Sequence, residues 1–130
     1  MGYATTMVGY PAPPVRAAQD LRTHQYKAVR IQGDGVRLAA ATVNQTSGAI
    51  YVLQNKPNSG EDCTLLGPPN ITKAVAGGAI ALGNWVTMNT SATFAAHTVP
   101  GSYMTSITPV VGVCWEVAAA DGDEFALHLK

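Results

Sequence analysis

Carboxylates cluster twice in this chain, as Glu61-Asp62 and as Asp121, Asp123 and Glu124. A pair of carboxyls can divide acid and base work between them, provided burial raises the pKa of one. Both clusters stand in Gly-containing turns (NKPNSGED and ADGDE), where water keeps carboxylates ionised, so a solvated turn is the ordinary reading. The ADGDE cluster also offers hard oxygen ligands for calcium, but without the extended ligand series of a helix-loop-helix calcium site. The three histidines, His24, His97 and His128, lack the short paired spacings that a zinc site needs, among themselves or with Cys63 and Cys114. Cys114 is followed by Trp115 and Glu116, which sketches a nucleophile beside an acid. Its run, VVGVCWEV, reads instead as a core strand with both Cys114 and Trp115 inside. No nucleophile elbow, phosphate-binding loop or dinucleotide fingerprint occurs. The expectation is a protein that is not an enzyme and has no cofactor or metal.

The aromatic side chains give a different kind of candidate. Trp85 follows a turn, and with Phe94 and Tyr103 it could form an oligomer seam or a sugar-stacking platform. Composition favours contact with other proteins. Only 12% of residues are charged, against roughly 25% in an ordinary soluble domain. Apolar residues make up 47% and the formal net charge is zero, so little repulsion keeps copies apart. Basic residues lead up to Arg37 (Arg16, Arg22, Lys27, Arg30 and Arg37 against Asp20 and Asp34), and acidic residues lead thereafter. The Lys and Arg residues are dispersed, which argues against nucleic acid as a partner. No run approaches the ~20 apolar residues of a membrane-spanning helix, and the N-terminus lacks the pattern of a secretory signal. Gly2 and Thr6 fit a loose myristoylation pattern, and three Asn-X-Ser/Thr sequons occur, both of a kind that chance produces often. Without a signal, Cys63 and Cys114 are expected as free thiols in strands.

These residues must be positioned by short elements. Residues 1–22 read as an extended arm: GYPAPPV places Pro11, Pro13 and Pro14 within four positions, which denies a helix and favours polyproline-like backbone. Tyr3, Met7, Val8, Tyr10, Val15 and Arg16 complete the set of arm residues; an extended arm cannot bury its apolar groups by itself, so it is either disordered or laid on its own domain, a neighbouring copy or a larger partner. Val15 to Gln25 fits a short helix opened by Pro13-Pro14. From residue 23 to 130 the texture is that of one all-β domain, a small barrel or sandwich. Runs such as AVRI, AIYVLQ, CTLL, ITKAV, NWVTM, VVGVCWEVA and EFALHLK are separated by turn residues. Three segments share one grammar of strand, small or polar connection, Gly and strand, turning at Gly60, Gly83 and Gly122.

VLQNKPNSGEDCTL, ITKAVAGGAIALGNWVT and GVCWEVAAADGDEFALHL, in that order, resemble the small decoration (cement) proteins of tailed-phage capsids. The resemblance runs from about Gly48 to Lys130. It departs from the pattern at Asn84-Trp85 and at the insertion HTVPGSYMTSITP before Val110. It implies a β-rich structural protein made in the host cytoplasm and bound to the outer face of an icosahedral capsid. Its partners would be the major capsid protein and copies of itself, commonly as a homotrimer. A carbohydrate-binding β-module on a virion or cell surface is the alternative.

Overall fold

A computed structural model of the protein describes residues 15–39, 50–89, 91–97 and 110–130. These residues form an all-β fold, with no helix among them. The strands are β1 (Val15–Arg16), β2 (Ala28–Gln32), β3 (Gly35–Leu38), β4 (Tyr51–Leu53), β5 (Asp62–Cys63), β6 (Leu65–Leu66), β7 (Ile71–Val75), β8 (Trp85–Met88), β9 (Phe94–Ala96), β10 (Val110–Cys114) and β11 (Glu124–Leu129). They assemble into a four-stranded sheet in the order β3-β2-β4-β6, a five-stranded sheet in the order β7-β11-β10-β8-β9, and a β1-β5 ribbon. Every strand pair within these sheets is antiparallel.

Alternation along the strands explains the layering. Ala28 and Val52 of the four-stranded sheet join Ala74, Val86, Met88, Phe94, Phe125, Leu127 and Leu129 of the five-stranded sheet in the larger core. Their neighbours Val29 and Leu53 point to the opposite face. There they form a second core with Ala17, Leu21 and Val36, closed by Val15, Cys63 and Leu65. The four-stranded sheet is therefore apolar on both faces, which is why AV and VL stand side by side in β2 and β4. The five-stranded sheet buries one face only, and β11 shows this as alternating buried Phe125, Leu127 and Leu129 with partly exposed Ala126 and His128.

The expected helix over Val15–Gln25 does not form. Val15 and Arg16 pair with Cys63 and Asp62, and Ala17 bridges to Val36. Ala17 and Leu21 are both buried, and the strand pairing of this segment places them in the second core with Val29, Val36 and Leu53. Leu21 is fully buried, and its N–H donates to the Pro57 carbonyl at 2.9 Å. The described part of the expected arm, residues 15–22, thus packs as part of the domain.

The segment NKPNSGED brackets this stretch. The Ala17 N–H donates to the Glu61 carbonyl, and the Gly60 N–H donates to the Ala17 carbonyl. Within the loop, Glu61 Oε1 accepts from the Asn58 N–H at 2.7 Å, and Asn55 Nδ2 donates to the Asp62 carbonyl at 3.0 Å. Gly60, Gly83 and Gly122 all adopt positive φ (85°, 84° and 89°), a conformation that carries a steric cost for side chains with a Cβ. AGGAIALG is built of turns and a bridge between Ile80 and Ala118.

Candidate functional site

The residues nominated for chemistry are engaged in holding turns and the core. Asp123 Oδ2 accepts from the N–H groups of Ala119 and Ala120, both at 3.0 Å, fixing the β10–β11 turn. Glu124 lies 3.8 Å from the Lys73 ammonium on the neighbouring β7, an exposed pair. Cys63 and Cys114 are free thiols. Burial pushes both thiols up from their ordinary pKa, so the nucleophilic thiolate is disfavoured at each. Cys114 Sγ donates to the Glu116 carbonyl at 3.0 Å. Among the described residues, no three His, Cys, Asp or Glu side chains come together in a way that could hold a metal ion.

The outer face of the five-stranded sheet offers something else. Register aligns Ile71 with His128, His128 with Val113, and Val113 with Trp85, so one row of side chains crosses β7, β11, β10 and β8. Trp85 is 49% exposed and Ile71 is 52% exposed. Trp115, just beyond β10, is 54% exposed and packs edge-on against the His128 ring with centroids 5.7 Å apart. Leu82, Val110 and Val117 add further exposed apolar groups at the ends of the same strands. A shallow cleft of about 450 Å³ opens here, lined by Leu82, Gly83, Val113, Trp115, His128 and Lys130, and its wall is almost wholly carbon. Ile31, on β2, is an exposed apolar residue away from this sheet. Scattered exposed leucines and valines are common on protein surfaces, whereas a contiguous apolar sheet face with two indoles marks a contact surface.

Several expectations change here. Phe94 is no surface residue: it pairs opposite Met88, is completely buried, and meets Phe125 edge-on at 6.4 Å in the larger core. Trp115 is no core residue, because Cys114 before it points inward and strand alternation sends the next side chain out. Trp85 stands on the exposed face. Of the arm set, Val15 is half-buried against the second core, and exposed Arg16 lies 3.6 Å from Asp62. Tyr3, Met7, Val8, Tyr10, Pro11, Pro13 and Pro14 lie outside the described residues, as does Tyr103.

The chain matches no protein-family model and no curated protein. Its fold is similar to the crystal structure of the N base of the head fiber gp8.5 of bacteriophage phi29. The TM-score is 0.63 with 20% sequence identity, over 91% of this chain and 92% of that one.

Proposed function

We propose that this chain is a structural, non-enzymatic virion protein of a bacteriophage, attached to the outer surface of the capsid through its apolar five-stranded sheet face. The observation that carries this reading is that face: Ile71, Leu82, Trp85, Val110, Trp115 and Val117 are exposed together on a domain with few charges. Such a surface is costly in water and is relieved by burial against protein. Support comes from the fold shared with a phage head fiber base and from the resemblance of the strand-turn segments to capsid decoration proteins. In this reading the major capsid protein and further copies of the chain are the partners. The contacts bridge neighbouring shell subunits, and a modest interface per copy stabilises the shell because many must fail together.

The test is co-sedimentation of the purified full chain with capsids that lack it, followed by heating of the decorated and bare shells. Saturable binding with a raised disruption temperature is expected. Failure to sediment with capsids would refute the attachment. A second reading, carbohydrate binding, is favoured only by the two exposed indoles. A glycan array probed with the full chain, showing hits that a Trp115→Ser variant loses, would select it.

A further inference from the structure

Trp85 stands beside the cleft without lining it. Its registered neighbour Val113 does line it, with Leu82, Gly83, Trp115, His128 and Lys130. One sheet face thus carries a half-exposed indole next to an open apolar hollow of about 450 Å³, room enough for an indole. A projection and a hollow side by side are what a two-fold contact needs. In such a contact both copies present the same patch, and whatever one side chain does to the partner is done in return.

The rest of the face suits the same occupant. The row Ile71, His128, Val113 and Trp85 contains no Asp, Glu, Lys or Arg, so two copies of it can meet without opposing like charges. Lys73 and Glu124, on the strands that begin the row, pair with each other within one chain. Lys130, at the cleft, is exposed, and its long stem lets the ammonium stay in water. His128 offers a ring nitrogen to the N–H of an incoming indole. Antiparallel sheets stack face to face about 10 Å apart, so the contact is a β-sandwich formed between chains. The area is adequate too. The two half-exposed indoles hold roughly 200–250 Å² and the exposed aliphatic groups about as much again, so two faces together bury roughly 1,000 Å², where specific interfaces begin.

We propose that this sheet face pairs with the same face of a second copy, each Trp85 entering the other's cleft. The dimer is a property of the free protein and depends on no shell. Shell attachment through the same face requires the dimer to open, so the two contacts exclude each other. Sedimentation without capsids therefore tests the dimer, and co-sedimentation with capsids tests the attachment.

The chain contains two tryptophans, both on this face, so intrinsic fluorescence reports the contact directly. The full chain is diluted while indole emission and sedimentation are followed together. A monomer–dimer equilibrium is expected, with emission moving to longer wavelength as the dimer dissociates. Trp85→Ser removes the projection, and Leu82→Arg obstructs the hollow. Each should weaken the dimer by on the order of a hundredfold or more, because a two-fold interface loses the contact twice. Far-UV circular dichroism should stay unchanged in both. Mixing the two variants should give a heterodimer tighter than either homodimer, since one keeps an open cleft and the other keeps the indole. Ile31→Ser, exposed on β2, should leave association as it was. A monomer at all concentrations would overturn the proposal, as would growth beyond the dimer. Association that ignores Trp85→Ser, or mixed variants that fail to pair, would refute the reciprocal insertion. Short-wavelength emission independent of concentration would mean that the indoles are covered within one chain, which also refutes it.

Discussion

Leu21→Ala tests whether the residues just after the proline segment are a dispensable arm or part of the fold. Leu21 has no exposed surface, and Ala17, Val29, Val36 and Leu53 form the rest of its core. That core is small, so little material is available to collapse into the space left by the leucine. Large-to-small changes at such sites cost about 2–5 kcal/mol through lost transfer energy and a residual cavity. With a urea slope of about 1–3 kcal/mol per molar, a 3 kcal/mol loss lowers the unfolding midpoint by at least ~1 M. Equilibrium urea unfolding, followed by circular dichroism, reads this directly. Leu82→Ala provides the internal control. It removes the same atoms from a side chain that is 66% exposed, and should change stability by less than ~0.5 kcal/mol. If both variants unfold at the wild-type midpoint with an unchanged slope, residues 15–22 do not belong to the cooperative unit. Truncation after Pro14, which removes no described residue, should leave the midpoint near wild type under the same conditions.

Two further outcomes follow from local geometry. Burial, aided by the Lys27 charge and opposed by Asp20, holds the His24 pKa below its usual 6.5, and its Nδ1 is buried without a hydrogen-bond partner. The unfolded chain therefore takes up this proton first, so stability should decline as pH falls through 6.5 toward the folded-state pKa. His24→Gln should flatten that decline in urea titrations between pH 7.5 and about 5, and an unchanged slope would refute the assignment. At Gly112, an added Cβ would meet the His128 carbonyl oxygen across the β10–β11 pair, so Gly112→Ala should lower stability by about 1–3 kcal/mol. Gly78→Ala, where nothing lies within 4 Å, should shift the thermal midpoint little.

What was legible in the sequence follows the physics of alternation. Phe125, Leu127 and Leu129 alternate with Ala126 and His128 because β11 has one buried face, and that strand could be read directly. The three turn glycines were legible because a positive φ restricts which residues can stand there. VVGVCW was misread for the opposite reason. An unbroken apolar run carries no parity, and β10 adds a register shift between Val110 and Gly112 that changes the parity midway. Knowing that Cys114 faces inward would have placed Trp115 outside. Phe94 was misplaced because β9 has only three residues, too few for alternation to reveal a face. Leu21 is not legible from local spacing, because its burial depends on Val29, Val36 and Leu53, remote in sequence. The apolar row itself could not be seen in any single segment. Ile71, His128, Val113 and Trp85 become neighbours only through strand order.

The distribution of charge over the layers gives the domain a direction. Three of the ion pairs among the described residues, Arg16–Asp62, Asp20–Arg22 and Asp34–Arg37, lie on the half built from β1 to β6. The outer face of the five-stranded sheet has Lys73–Glu124 on the adjacent strands β7 and β11, while its centre is apolar. One side of the molecule is thus suited to water and the other to protein, which is the polarity expected of a subunit lying on a surface.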